Sequence, residues 1–154
     1  MIKLVVVGHL AVNETETSFG KGVYWAGAGY QVAWAAAQFF PKKGVKLISL
    51  CGQDFDLSGL FRAGIDLEGV VIDQRFNSDR FIIKEKKEER FFKARGDLSS
   101  HLSLDHFNFN QEINWCHLAT APPRQQLKWI SQIKSSWKKR AMISVDPVLR
   151  NAAP

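Results

Sequence analysis

Short apolar runs alternate with helical segments along most of the sequence, and this alternation limits the folds that the chain can adopt. Runs rich in β-branched residues occur at 2–8, 45–52, 113–120 and 141–147. Unbroken apolar runs of this length are typical of strands that are buried on both faces of a parallel sheet. Because helical patterns separate these runs, we predict an α/β fold: a three-layer sandwich with a mostly parallel sheet and helical crossovers.

Two helices and a short helical turn are predicted between these strands. The first helix covers 29–40, and the second begins at the Pro122-Pro123 pair. A helical turn within 57–66 has Gly64 in position to cap it. The residues expected on the apolar face of the first helix are Val32, Ala33, Ala36, Phe39 and Phe40. In the second helix, the positions that recur by threes and fours are Leu127, Ile130, Ile133, Lys134 and Trp137.

The middle of the chain has a different character, because its apolar stretches flank a dense cluster of charges. The segments 80–84 and 90–93 are β-like and surround a charged turn, which predicts a hairpin and not a helical crossover. A further strand is predicted at 22–27, immediately before the first helix.

The composition favours a cytoplasmic globular protein. The net charge of the 154 residues is +6, but the basic residues are spread out, and acidic residues interrupt the densest cluster. We therefore expect solvated faces and no nucleic-acid partner, although an anionic small molecule would also suit the charge.

The apolar runs fall far short of the roughly 20 residues that cross a bilayer, so no membrane contact is expected. The N-terminus lacks a signal-peptide cleavage pattern. Cys51 and Cys116 are expected to be reduced core thiols.

The glycine loop Gly27-Ala28-Gly29 allows several interpretations. A dinucleotide-binding loop would follow the first strand and would have a small residue where Val32 stands. This weakens the case for a nucleotide-dependent oxidoreductase, which stays the third alternative. A phosphate-binding P-loop is excluded, because no Gly-Lys-Ser/Thr sequence follows. A tight turn with close backbone approach and a substrate clamp at a helix N-terminus both remain open.

The last predicted strand is followed only by a few residues, with no helix to cover it. A parallel sheet requires cover on both faces. We therefore expect the sequence to be the first half of a larger α/β domain.

Five segments occur in an order that resembles the ribokinase-like, PfkB-type carbohydrate kinases. They are VVVGHLAVNE, AGAGYQVAWAAAQF, LISLCGQDF, LFRAGID and SVDPVLR. The resemblance covers nearly the whole chain but only the N-terminal half of the family's fold. It implies that 1–154 is the N-terminal part of one ribokinase-like domain, with a small β lid hairpin and lid strands at about 14–26 and 80–95. Lid strands often pair between subunits in such proteins, so the resemblance also implies a homodimer.

The resemblance implies a site for a sugar, nucleoside or related polyol. In the family, a glycine and a nearby acid open the sugar site, and a later glycine-rich stretch closes it. The hydroxyl that receives the phosphoryl group must be held in line with it, and a closing lid excludes water. The implied substrate-binding residues are Asn13, Gly27, Ala28, Gly29, Gln31, Lys93, Arg95 and Thr120.

The implied reaction is phosphoryl transfer from ATP, which Mg²⁺ would accompany. The family's catalytic base lies in a Gly-Ala-Gly-Asp segment of the C-terminal half, so no catalytic residue and no metal ligand is assigned here. The 154 residues alone are therefore expected to be inactive. Asp146 and Arg150 are candidates for contacts near phosphate and metal, whereas Asp54 is expected to cap a turn.

The sequence departs from the family pattern at four positions, and two alternatives follow. Asn13 replaces the acid of the sugar site, Ala26 a glycine, Gln31 an asparagine, and Val148 a second asparagine. An amide both donates and accepts hydrogen bonds, so the hydroxyl pattern that it binds is altered. The changes indicate either a kinase of altered specificity or a non-catalytic ligand-binding or assembly module derived from a kinase.

Four further residues have both a structural and a functional interpretation. His9 is either a satisfied histidine or a substrate contact. Trp25 is either a packing residue or a stacking wall for a ring. Lys93 and Arg95 are either solvent-exposed or hold an anionic group.

Overall fold

The computed structural model describes residues 2–86, 89–105, 107, 113–136 and 142–147. The elements within them are the strands β1 Leu4–Val7, β2 Ala11–Thr17, β3 Gly20–Ala26, β4 Val45–Gly52, β5 Asp66–Asp73, β6 Asp79–Lys86, β7 Glu89–Arg95, β8 Trp115–Ala121 and β9 Met142–Pro147, the helices α1 Ala28–Ala37, α2 Ser58–Arg62 and α3 Pro123–Ser136, and a 3₁₀ helix, Leu98–His101.

Five strands form a parallel sheet in the order β5-β4-β1-β8-β9. All four residues of β1 are buried, and every residue of β4 except Lys46 is buried. The predicted strands at 2–8, 45–52, 113–120 and 141–147 are thereby confirmed. Strands β1 and β4 are covered on both faces as inferred, whereas no residue of β9 is buried, so the prediction of burial on both faces was wrong for β9.

Two apolar cores lie on opposite faces of this sheet, which gives the sandwich its three layers. Val5 and Val7 belong to the core that contains Trp129 of α3. Leu4 and Val6 point the other way, into the core that contains residues of α1 and α2. Successive residues of a strand face opposite sides, so the short strand β1 contributes to both cores.

A second sheet of four strands, in the order β3-β2-β6-β7, carries the middle of the chain. It is built from two antiparallel hairpins, β2–β3 and β6–β7, joined by parallel pairing of β2 with β6. The predicted hairpin is therefore present, but it forms half of a larger sheet. Strand β2 was not predicted at its full length, because its sequence AVNETET has little apolar content.

The two faces of the second sheet differ in their side chains. Asn13 of β2 pairs with Phe81 of β6, and these residues define the Asn13 face. Glu14 pairs with Ile82, and these define the Glu14 face. Strand pairing places Phe92 on the Asn13 face, because it is the partner of Ile83, two residues from Phe81.

The helices agree with the sequence predictions in position but less well in their buried residues. Helix α1 ends at Ala37, three residues earlier than predicted, and Phe39 beyond it is 86% exposed. In α3, Leu127 is 64% exposed, whereas Trp129 and Ile133 are buried. The prediction of a buried side chain was therefore wrong for Phe39 and for Leu127. Trp137 lies outside the described residues.

Three smaller findings complete the fold. Strand β5 was not predicted; it lies at the edge of the parallel sheet and leaves Val71 and Ile72 exposed. Cys51 and Cys116 are free and buried, as predicted, and burial raises the pKa of Cys116 to about 12. Among the residues that the structure describes, no helix is long and apolar enough to span a membrane.

Candidate functional site

A cavity of about 220 Å³ lies between the parallel sheet and the Asn13 face of the second sheet. It is formed where β1 and β8 reach their carboxyl ends, which is where open α/β sheets usually bind ligands. The residues that line it are His9, Asn13, Gly27, Ala28, Gln31, Phe81, Ile83, Phe92 and Thr120. Five of the eight predicted substrate-binding residues are therefore brought together at one place.

The glycine loop is held tightly against the segment that follows β1. Gly27 has a φ of 104°, and a Cβ there would lie 2.5 Å from the carbonyl oxygen of His9. The backbone N–H of Gly29 donates to that carbonyl over 3.0 Å. A Cβ on Gly29 would lie 2.8 Å from the backbone of Gly8. The glycines thus permit close backbone approach, which brings Ala28 and Gln31 to the cavity wall.

Asn13 has an unsatisfied hydrogen-bond acceptor. Its Oδ1 atom is buried, yet it has no hydrogen-bond partner among the residues that the structure describes. A buried acceptor without a partner costs about 1–3 kcal/mol. Because Asn13 lines the cavity, a ligand that donates a hydrogen bond would satisfy it.

His9 lies at the centre of the cavity region and was given only a minor role by sequence reasoning. Its ring contacts that of Phe81 edge-on, with centroids 5.8 Å apart. Burial lowers the pKa of His9 from its usual 6.5, although the carboxylate of Asp79 and a hydrogen bond to the backbone of Thr120 act in the opposite direction. The imidazole is therefore neutral at neutral pH.

A larger cavity, of about 500 Å³, adjoins the first and shares His9, Phe81 and Thr120 with it. Its remaining wall comes from the ends of β6 and β7, the 3₁₀ helix and the start of α3. Asp79 in this wall caps the 3₁₀ helix by accepting from the backbone N–H groups of Leu98, over 2.8 Å, and Ser99, over 2.9 Å. Both carboxylate oxygens therefore already have a partner.

Thr120 connects the cavities to Asp146 at the end of β9. Its hydroxyl donates a hydrogen bond to Oδ2 of Asp146. The side-chain amide of Gln126 donates to the backbone carbonyl of Asp146 over 2.7 Å and to that of Ala119 over 3.2 Å. Asp146 is itself exposed, so its carboxylate is held in place beside the site and remains accessible from solvent.

The structure does not bring all predicted residues to the smaller cavity. Gly29 is buried beneath the loop and does not line the cavity. Lys93 pairs with Ile82 and so lies on the Glu14 face, opposite Asn13. Arg95, at the end of β7, lines the larger cavity instead. Arg150 lies outside the described residues.

An ion-pair network joins the second sheet to the parallel sheet. Arg80 donates to Glu14 over 2.5 Å and to Asp54 over 2.8 Å. Asp54 also accepts from the backbone N–H of Ser78 over 2.7 Å. Burial acts to raise the pKa of Asp54, but hydrogen bonds from Ser78 and Arg80 outweigh it and lower this pKa. The structural role expected for Asp54 agrees with these contacts.

One further sequence candidate, Trp25, is accounted for by its surroundings. Trp25 packs against Phe55, with ring centroids 5.3 Å apart, and belongs to the apolar core on the α1 side. Within the described ranges, no group of three or more His, Cys, Asp or Glu residues could hold a metal ion. Phe81 and Phe92, which form the apolar wall of the cavity, were not predicted individually. Only the β-like character of the hairpin pointed to them.

No family model matches the sequence, and no curated protein matches it. Solved structures share its fold. A fructokinase with bound ATP from Xylella fastidiosa has a TM-score of 0.78 at 15% identity, over 100% of this chain and 56% of that one. An uncharacterized sugar kinase from Pyrococcus horikoshii, in complex with ATP, has a TM-score of 0.75 at 19% identity, over 96% and 53%. A ribokinase from Cryptococcus neoformans, in complex with ADP, has a TM-score of 0.73 at 16% identity, over 96% and 50%.

These similarities show that the chain has the fold of the PfkB and ribokinase-like sugar kinases. The chain spans only about half the length of the sugar kinases that it matches, from 50% to 56% in these three. The predicted ribokinase-like α/β fold is therefore confirmed. At such low identities the likeness extends to the fold alone.

Proposed function

We propose that the protein transfers a phosphoryl group from ATP to a hydroxyl of a sugar, nucleoside or related polyol, and that this chain carries mainly the substrate-binding half. On this proposal, residues 1–154 are the N-terminal part of one ribokinase-like domain, and the second sheet is its lid. The fold of the ATP-bound and ADP-bound kinases above supports the reaction class, and the cavity between the two sheets supports the assignment of the substrate.

The observation that carries the proposal is the unsatisfied acceptor of Asn13, a residue that lines this cavity. A hydroxyl group is a donor of suitable size for Oδ1, and the amide nitrogen can donate to a second oxygen. Gln31, on the first turn of α1, would bind another hydroxyl. Phe81 and Phe92 would cover the apolar face of a sugar ring.

The remaining assigned residues shape or border the site. Gly27, Ala28 and Gly29 form the clamp, because the bare loop lets the helix N-terminus approach the substrate. Thr120 borders both cavities and would hold a substrate oxygen. Since Lys93 lines neither cavity of the site, we assign the binding of an anionic group to Arg95, which borders the larger cavity.

Asp146 fits a position near the phosphate and its metal ion. Its carboxylate lies at the carboxyl end of β9 and is fixed by Thr120, and carboxylate oxygens are ligands that Mg²⁺ accepts. Bound MgATP would supply the phosphoryl group. We propose Arg150 as a second contact there, from the sequence resemblance. The base that activates the hydroxyl would come from outside these residues.

The second sheet would exclude water from the reaction and provide a dimer interface. Val23 is 65% exposed and Phe91 53% exposed, and both lie on the Glu14 face. Apolar side chains on an exposed sheet face are typical of an interaction surface. We propose a homodimer through these strands, in the cytoplasm, where free cysteines stay reduced. Sedimentation would show a monomer if this part of the proposal is wrong.

Release of ADP by the complete protein tests the proposed reaction. The purified protein is incubated with MgATP and, one at a time, D-ribose, D-fructose and adenosine, and product formation is confirmed by mass spectrometry. We expect ADP release that depends on one of these acceptors. Binding of an acceptor without turnover would instead favour the non-catalytic ligand-binding module.

The chain of 154 residues, assayed alone, is expected to release no ADP. We assign the catalytic base and the nucleotide site to residues outside it. Acceptor-dependent ADP release by this chain would contradict our division of the site into two halves.

A further inference from the structure

A cleft of about 320 Å³ lies on the Glu14 face of the second sheet, and the roles proposed above assign no ligand to it. The charged residues that line it are the basic Lys21, Lys84 and Arg95 and the acidic Glu14 and Glu16. We propose that this cleft, called here the Glu14-face cleft, binds a small anion that carries a phosphate group. The inference goes beyond the proposed function and does not depend on it.

Both acidic residues of the cleft are already paired with basic residues. Glu14 accepts from Arg80 over 2.5 Å. Glu16 is shared between Lys21, over 3.1 Å, and Lys84, over 3.0 Å. Because one carboxylate serves two ammonium groups, this group of three side chains keeps an excess positive charge beside the cleft.

Arg95 adds a second excess positive charge. It is the direct cross-strand partner of Arg80 in the β6–β7 hairpin, and like charges in this arrangement destabilise a sheet. Arg80 is neutralised by Glu14 and Asp54. Within the described ranges, no carboxylate forms an ion pair with Arg95 or with Lys93, which lies two residues earlier on the same face. A bound anion would offset this uncompensated charge.

A phosphate group matches these charges in sign, magnitude and geometry. It carries a charge of about −1.5 to −2 at neutral pH, so one phosphate would balance the excess from the lysines and from Arg95. A guanidinium donates two parallel N–H bonds to phosphate oxygens, and a lysine ammonium adds a point charge. Lys84 and Arg95 both line the cleft. Val23 and Ile82 line it as well, so the carbon part of a phosphate monoester would have an apolar surface to contact.

The homodimer proposed through this face would not remove the excess charge. A two-fold interface brings the same surface of two copies together. The basic side chains of one copy would therefore meet those of the other, and like charges at an interface repel. A bound anion would relieve the excess charge in the monomer and in the dimer alike.

Calorimetric titration of the complete protein with inorganic phosphate and with D-ribose 5-phosphate, at low ionic strength, tests the inference. Both should bind, and added salt should weaken the binding because the basic side chains are partly exposed. Lys84→Gln removes one charged contact and should bind phosphate at least about threefold more weakly than the wild type. Tighter binding of the ester than of inorganic phosphate would show that its carbon part also contacts the cleft, and equal binding that the phosphate group alone is recognised.

Lys128→Gln is the matched control, because it removes the same charge from an exposed position of α3 that lines neither the cleft nor a site cavity. It should bind phosphate as the wild type does, and thermal unfolding of each variant shows whether it is folded. Ser99→Ala distinguishes the cleft from the larger cavity, which Arg95 also lines. A phosphate held in that cavity would bind more weakly to Ser99→Ala and equally well to Lys84→Gln. This result, or no phosphate binding by the wild type, would overturn the inference and leave the proposed function standing.

Discussion

Gly27 and Gly29 combine a structural constraint with a position beside the candidate site. Their backbone lies so close to Gly8 and His9 that a Cβ at either position meets main-chain atoms within 3.0 Å. Sequence reasoning left a tight turn and a substrate clamp as alternatives for this loop. The structure has the close approach, and the same approach places Ala28 and Gln31 at the cavity. The two interpretations are therefore compatible.

Gly27→Ala should reduce the free energy of unfolding more than Gly20→Ala. Both glycines have a positive φ, of 104° and 142°, so both variants carry the backbone strain of about 1–3 kcal/mol. Only at Gly27 does the new Cβ also clash, with the carbonyl oxygen of His9. Urea denaturation measures the difference. Equal losses of stability would mean that the loop can move away from His9.

Asn13→Leu should weaken sugar binding without lowering the free energy of unfolding. The change removes a buried acceptor that has no partner, so the free energy of unfolding should stay constant or rise by about 1 kcal/mol. Affinity for the accepted sugar should fall at least about tenfold. Thr15→Val is the control on the same face of β2, because the Thr15 hydroxyl already donates to Gly22. A loss of stability without a loss of affinity in Asn13→Leu would assign Asn13 a structural role.

Stability should decrease in mildly acidic solution because of His9. Burial lowers the pKa of His9 in the folded state, whereas in the unfolded chain it keeps its usual value of 6.5. As the pH falls, the unfolded chain therefore binds the proton before the folded protein does. The contribution of neutral His9 to the free energy of unfolding is complete above pH 6.5 and is lost as the pH falls toward the folded-state pKa. Urea denaturation at about pH 7.5 and about pH 5.5 measures it. A His9→Gln variant with the same pH dependence as the wild type would exclude His9 as the cause.

At the scale of elements, one arginine connects the two sheets. Arg80 of β6 joins Glu14 of β2 to Asp54, which lies in the segment between β4 and α2. These side chains are partly buried, so water screens the pairs less than it would at the surface. Trp25 and Phe55 add an aromatic contact at the same junction. The position of the second sheet over the cavity depends on this junction.

A double-mutant cycle with Arg80→Met and Asp54→Ala should give a coupling energy of about 0.5–1 kcal/mol. The exposed pair of Arg75 and Asp73 has similar geometry, with an Nη2 to Oδ2 distance of 2.7 Å, but Arg75 is 78% exposed. The same cycle on that pair is the control and should give a smaller coupling energy. Equal coupling in both pairs would show that the junction contributes nothing beyond a surface ion pair.

The elements that sequence reasoning placed correctly are those whose pattern is local. The strands β1 and β4 come from runs rich in apolar residues, and α2 is followed by Gly64 with a φ of 79°. Strand β5 was missed and β2 was predicted only from about residue 14, because their positions depend on pairing with β4 and β6 and not on an apolar period of their own. Phe39 and Leu127 fit a helical period, but no element in the described part of the chain covers them.

At the scale of the whole molecule, the fold was predicted from the order of its segments. Alternating strands and helices indicate a parallel sheet, and the five ordered motifs added the ribokinase-like topology. The site was less accessible to prediction. The cavity forms where β2 and β7 meet the ends of β1 and β8. Which of Phe92 and Lys93 faces it depends on the register of β7 against β6. A shift of one residue would have exchanged their faces.

Chemical-shift mapping by NMR tests the location of the site most directly. D-fructose and D-ribose are added in turn to the ¹⁵N-labelled protein, and the amide signals that move are assigned. We predict that one sugar shifts a contiguous set that includes His9, Asn13, Gln31 and Thr120. Residues of the Glu14 face, such as Glu16 and Lys84, should stay unchanged. Shifts confined to the Glu14 face, or none with either sugar, would contradict a sugar site between the two sheets.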